Sequence, residues 1–169
     1  MGAHVSACPN HQTGNTNPLS ARFNVACGGV LGYELDPTRL SESELSEISG
    51  QIAFYKEYRK VLQFGDQYRL YGKNVVGFIT VSKDKSTAVA VVNLMERRPC
   101  DPVPTVRFKG LNPSAAYEVS ACGKTQVAGG DLLMYGDIPL EGLADSKVAN
   151  ANSGCIMSRM YIIKKVKNG

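Results

Sequence analysis

Two histidines and two carboxylates are the side chains of this sequence most suited to moving a proton. His4 and His11 are the only histidines among 169 residues, and Glu34 and Asp36 alternate out to one face of a short apolar stretch. Paired carboxylates suit general acid–base work, but Asp36 directly precedes Pro37. A turn leading into a helix is the simpler use of that aspartate. Glu34 reads as a polar residue inside a closed sheet, paired with a base supplied from upstream. His11 reads first as a hydrogen-bonded residue holding its loop in shape, and second as a substrate or subunit contact. No third ligand lies near these histidines in sequence, so no metal site is expected.

Three other patterns invite a chemical reading and each has a plainer one. Gly129-Gly130-Asp131 superficially suggests a phosphate loop, but it shows no helix pattern and lacks the Lys-Ser/Thr of a P-loop, so it is expected to be a turn. Phe54, Tyr55 and Tyr58, with Phe64 and Tyr68, could stack on a sugar. Their helical spacing favours packing in a core or between domains. Cys8, Cys27, Cys100, Cys122 and Cys155 are odd in number, widely spaced and without a CxxC pair. That argues against a disulfide framework and a structural zinc, leaving small buried hydrophobes or bystanders.

The elements that must position these residues fall into two regimes. Residues 3–8 read as a strand, Pro9 to Pro18 as a loop, Leu19 to Cys27 as a helix stopped by Gly28-Gly29, and Val30 to Asp36 as a second strand. Ser41 with Glu44 forms a capping box, and Leu45, Ile48, Ile52, Tyr55 and Leu62 predict a helical stripe closed by Gly65. From Asp66 the apolar period becomes two. Residues 67–71, 75–82, 87–95, 105–109, 117–121 and 158–166 read as strands with no intervening helix, separated by turn signals at 82–85, 110–113, 128–131 and 150–154. The expected architecture is therefore α/β plus all-β. A βαβα piece at 1–65 forms the C-terminal quarter of a (β/α)8 barrel, and an antiparallel β-sandwich follows at 66–169. Two strand–helix units cannot close a barrel, so the missing strands are expected upstream.

Composition narrows the function classes. A hydrophobic content of 43% with 20% charged residues is ordinary for a globular protein, and the net charge of +4 comes from scattered residues. The one dense basic run, Lys164-Lys165-Val166-Lys167, reads as a solvated tail, which leaves little footprint for nucleic acid. No secretory leader pattern and no apolar run of about 18 residues is present, so no membrane contact and a cytoplasmic location are expected.

The segment Met1 to Gly14 (MGAHVSACPNHQTG) resembles a stretch of family 36 glycoside hydrolases, the bacterial-type α-galactosidases. The likeness continues through Arg22–Ala26, Leu31–Asp36 and Gln51–Leu70. It is looser at Lys109–Pro113 with Tyr117, at Gly129–Met134 and at Ser158–Tyr161. The chain departs from the family pattern at Asn15, where a basic residue is usual, and at Ala128, where an aromatic is usual. It also lacks the tryptophan often found near Gly77-Phe78.

The resemblance implies a retaining mechanism with two aspartates roughly 5–5.5 Å apart. Both precede this segment in the family, so no catalytic residue is expected within it. It also implies terminal α-galactosides of the raffinose and melibiose type as substrate, no metal or cofactor, and a homo-oligomer, a tetramer in the parent enzyme. In such a barrel the C-terminal strand ends and the following loops face the substrate, which makes Ser6, Asn10 and His11 the candidate substrate-binding residues. The competing readings are a non-catalytic carbohydrate-binding or structural β-sandwich module, and part of a raffinose or stachyose synthase-like transferase.

Overall fold

The computed structural model describes residues 1–95, 101–140 and 157–166. In chain order the first elements are β1 (Gly2–Ser6), α1 (Leu19–Ala26), β2 (Val30–Glu34), a 3-10 turn (Pro37–Arg39) and α2 (Glu42–Phe64). Then follow β3 (Asp66–Gly72), β4 (Val75–Val81), β5 (Thr87–Leu94), β6 (Thr105–Val106), β7 (Ala116–Ala121), β8 (Lys124–Gly129), α3 (Gly130–Tyr135), β9 (Ile138–Pro139) and β10 (Met157–Lys165). Strands β1 and β2 pair in parallel. The crossover through α1 that joins them is the unit from which α/β barrels are built.

Helix α2 begins where the local chemistry demands. The Ser41 hydroxyl accepts from the Glu44 amide while the Glu44 carboxylate accepts from the Ser41 amide at 2.9 Å, satisfying two donors that the first turn leaves free. The buried stripe differs from the expected one. Gln51, Tyr58 and Leu62 are buried, with Ile48, Phe54 and Tyr55 packed beside them, whereas Leu45 and Ile52 remain 42% and 36% exposed. The helix is rotated toward a polar residue because Gln51 is satisfied there. The Tyr33 hydroxyl donates to Gln51 Oε1 at 2.8 Å, and Gln51 Nε2 donates to Glu47 Oε1 at 2.8 Å.

Six strands form one antiparallel sheet in the order β3-β4-β5-β10-β7-β8, and β6 pairs separately with β9. Strand β5 lies inside it and is buried on both faces. Ala88, Ala90, Val92 and Leu94 face a core shared with Phe108, Leu111, Leu133 and Leu140, the second layer of the sandwich. Val89 and Val91 point the other way, against Val5, Leu19, Phe23, Tyr58 and Leu62. Residues before and after position 65 thus share one hydrophobic cluster. Burying a side chain of this size stabilises by about 1.5–3 kcal/mol, so this seam holds the barrel units firmly on the sheet.

Several expectations change in detail. The segment at 128–131 is not a turn between strands: β8 runs into it and α3 starts at Gly130, so a helix does intervene in the β region. Strand β8 gives no alternation signal, because Lys124, Thr125 and Gln126 are polar in succession and Val127 is exposed. The β7–β8 hairpin turns on Cys122 and Gly123, both at positive φ (51° and 74°), the tight loop that suits strand twist. Of the strand expected at 105–109 only Thr105 and Val106 pair, and the Phe108 amide instead donates to the Leu133 carbonyl. Lys164 and Lys165 belong to β10 rather than to a tail; Lys164 Nζ lies 5.4 Å from the Tyr58 ring centre and 3.9 Å from Glu57. The turn at 150–154, Cys100, Cys155 and Lys167 lie outside the described residues.

Candidate functional site

Alternation along two short strands sorts the candidate residues. In β1, Val5 is fully buried and Ala3 packs beside it in the seam, so His4 and Ser6 take the opposite face. In β2, Leu31 and Tyr33 face the seam and Gly32 and Glu34 oppose it. The register sets His4 beside Gly32 and Ser6 beside Glu34. Helices cover the seam side, so the other face corresponds to the interior of a barrel. Branched apolar side chains usually fill that interior, yet Gly2, His4, Ser6, Val30, Gly32 and Glu34 supply only one.

Within this polar face, His4 Nε2 lies 2.7 Å from Glu34 Oε2, with the side chains 57% and 72% exposed. Within this chain the base beside Glu34 is His4 of the same strand pair. Such a pair can orient an imidazole and present hydrogen-bonding groups to a hydroxyl-rich ligand. It does not reproduce two carboxylates flanking a bond, because Asp36 is engaged elsewhere. Its Oδ1 accepts from the Thr38 hydroxyl at 2.7 Å and the Thr38 amide at 3.0 Å, and Arg39 lies 3.3 Å away. The Thr38 hydroxyl, then its amide, hold the Asp36 carboxyl below the usual range. Asp36 is a turn residue, as its place before Pro37 indicated.

The loop after β1 is organised by Asn10, whose Oδ1 accepts from the amides of Gln12 and Thr13, each at 3.0 Å, and from the Thr13 hydroxyl at 3.2 Å. The Asn10 carbonyl also accepts from the Gly14 amide, and Gly14 has φ 69°. His11 is exposed, and among the described residues it makes none of these loop-holding bonds. Arg22 fastens the loop at its other end: its Nε donates to the Asn17 carbonyl at 3.1 Å and its Nη1 to the Ser6 carbonyl. Arg22 stands one turn into α1, four residues after Pro18, and opens the Arg22–Ala26 stretch of the likeness, but neither feature marks it as a loop anchor. Ser6, Asn10 and Arg22 are thus linked through one loop framework, and His4 with Glu34 lies beside Ser6. No bond joins His11 to them among the described residues.

The remaining candidates resolve as packing. Phe54 stacks on Tyr58 with ring centres 4.7 Å apart and meets Phe23 edge-on at 6.0 Å, within the seam. Tyr55 is also in the seam, but Phe64 is 71% exposed, and Tyr68 covers Gly110, where a Cβ would come within 2.4 Å of the ring. Cys27 is buried, and burial pushes its thiol up to about 12, which leaves it protonated and inert at neutral pH. Of the three described cysteines, Cys27 is the small buried hydrophobe, while Cys8 and Cys122 are exposed. Among the described residues no three His, Cys, Asp or Glu side chains are grouped to hold a metal, and no helix is long and apolar enough to cross a membrane.

A parallel strand–helix pair with a polar face, packed on an antiparallel sheet, is the arrangement expected where an α/β barrel ends and a β domain follows. The family model described as Melibiase matches residues 1–65, and the glycosyl hydrolase family 36 C-terminal domain matches residues 75–163. The chain belongs to glycosyl hydrolase family 36. It is similar to the α-galactosidase AgaA of Geobacillus stearothermophilus, with 42% identity over 143 residues, covering 83% of this chain and 19% of that protein. The crystal structure of AgaA superposes with a TM-score of 0.85 at 38% identity, covering 98% of this chain and 22% of that one. The α-galactosidase of Lactobacillus brevis gives a TM-score of 0.85 at 34% identity, covering 100% and 23%. This chain spans about a fifth of the length of the curated relatives it matches.

Proposed function

We propose that these residues act as the C-terminal part of a retaining α-galactosidase that hydrolyses terminal α-galactosides of the raffinose type. The superposition of 98% of the chain on AgaA at a TM-score of 0.85 carries this reading, because it covers both the strand–helix units and the sandwich. AgaA variants have been crystallised with raffinose and with stachyose, which supports the substrate class. In this reading residues 1–65 complete the catalytic barrel and residues 66–169 brace it. Ser6, Asn10 and His11 lie toward the substrate, at and after the C-terminal end of β1. The two aspartates of retaining chemistry are supplied by the preceding part of the enzyme, because no residue here matches either motif. A cytoplasmic, homo-oligomeric parent is part of the same proposal.

Reading the coding DNA upstream of Met1 tests it. An in-frame extension of several hundred codons with two candidate aspartates is expected. An in-frame stop codon immediately upstream would contradict it.

A further inference from the structure

Side chains of helix α1 tie the loop after β1 to the β domain. Asn24 Nδ2 donates to the Ser158 hydroxyl of β10 at 3.0 Å. Earlier on the same helix, Arg22 holds both ends of the loop. Its Nη1 donates to the carbonyl of Ser6, the last residue of β1, and its Nε to the Asn17 carbonyl, just before α1, at 3.1 Å. The segment between is shaped from within. The Asn10 amide donates to the Asn15 carbonyl at 2.9 Å, and the Gly14 amide to the Asn10 carbonyl at 2.8 Å.

The Asn24–Ser158 bond lies in an otherwise apolar setting, where Leu19, Phe23 and Ala26 of α1 share a cluster with Val89 and Val91 of β5. Apolar burial is non-directional, so it favours contact more than one fixed position of a helix. A hydrogen bond to a buried amide is directional. Asn24 is only 8% exposed, so a shift of α1 that broke this bond would leave its amide without water or partner. Arg22 and Asn24 are separated by about 3 Å along one helix axis, so what fixes one fixes the other. A slip of about 1.5 Å, the rise of one residue, would carry the guanidinium away from at least one of its two carbonyls.

We infer that the β domain positions the substrate-facing loop of the barrel, with Ser158 as a positioning residue that acts through Asn24, α1 and Arg22. The inference rests on the functional reading above and gives residues 66–169 a task beyond bracing. Ser158 touches no reacting atom. It sets where Ser6 and Asn10 stand, at and after the C-terminal end of β1, the end at which a barrel meets its substrate. Loosening that loop removes contacts made alike in ground and transition states, which raises KM and spares kcat.

Two measurements test it. In the 169-residue chain, hydrogen exchange read by mass spectrometry follows the amides of residues 7–17. Ser158→Ala should speed exchange there at least roughly threefold, with unchanged circular dichroism. Ser158→Thr, which keeps the hydroxyl, should not. Nor should Tyr117→Phe, which frees two loops on the far side of the sheet. Arg22→Gln should speed the same amides, and Ser158→Ala added to it should speed them no further, because Ser158 acts through Arg22. Unchanged exchange in Ser158→Ala, equal effects of Ser158→Ala and Tyr117→Phe, or additive effects in the double variant would overturn the inference. The second measurement uses AgaA with its matching region replaced by this chain. There Ser158→Ala should raise KM for raffinose at least roughly threefold with kcat within about twofold, and Ser158→Thr should leave both unchanged. An active graft whose KM ignores Ser158→Ala would overturn the inference alone. A folded graft that is inactive with the unaltered chain would overturn the functional reading, and this role with it.

Discussion

At Asp84 a single carboxylate carries a turn. Its Oδ1 accepts from the Ser82 hydroxyl at 2.6 Å, the Ser86 hydroxyl at 2.8 Å and the Ser86 amide at 3.1 Å. These donors, the Ser82 hydroxyl foremost, hold its pKa down at about 2, against 3.8 for a free aspartate. A depressed folded value means that the contribution to stability is complete above the unfolded pKa and is lost as pH falls through the folded one. Stability should therefore decline between about pH 4 and pH 2, and Asp84→Asn should flatten that part of the curve in urea titrations across this range. Tyr117 is a second residue with concentrated responsibility. Fully buried, its hydroxyl accepts from the Asn112 amide at 2.9 Å and donates to the Lys85 carbonyl at 3.0 Å, tying two loops to β7. Tyr117→Phe leaves both groups without this partner and should cost roughly 1–3 kcal/mol in urea unfolding, with the fold retained.

Helix α2 shows what a local signal can and cannot specify. Its capping box lies within four residues, so both its start and its 23-residue extent were legible from Ser41, Glu44 and Gly65. Ser41→Ala should cost about 1 kcal/mol, measured by thermal unfolding. Which side of the helix is buried was not legible, because β4, β5 and β10 decide it from later in the chain. They draw Tyr58 and Leu62 inward and leave Leu45 and Ile52 outside. Six strands can be read from alternation, whereas β8 and α3 cannot: three polar residues in a row followed by an exposed Val127 hide the strand, and a Gly-Gly-Asp resembling a turn hides the helix start. The places of Ser6 at the end of β1 and Asn10 in the loop after it are legible from the sequence, but the His4–Glu34 pair needs the parallel register that brings the two strands together. The seam itself leads to a further expectation. A chain shortened to residues 66–169 keeps the core around Phe108, Leu133 and Ile163 but bares Val89 and Val91. It should unfold cooperatively while binding a hydrophobic dye that the full chain does not bind; dye binding equal to that of the full chain would show that the sheet covers this face by itself.

For the whole molecule, the seam makes two family-matched regions behave as one body. The barrel units are held by the sheet, and the sheet is shielded by the barrel units. The isolated chain should show no hydrolysis of an aryl α-galactoside above buffer, and turnover abolished by Glu34→Gln would contradict the site described above. These 169 residues are proposed to finish and support a catalytic barrel, and that role has a direct test. It is tested most directly by grafting them onto AgaA in place of its matching region and measuring kcat/KM on an aryl α-galactoside and on raffinose. A folded enzyme within roughly tenfold of AgaA is expected if the grafted part positions loops and braces the barrel while the rest of AgaA supplies the reacting carboxylates. A fusion that folds cooperatively and yet hydrolyses neither substrate would contradict it.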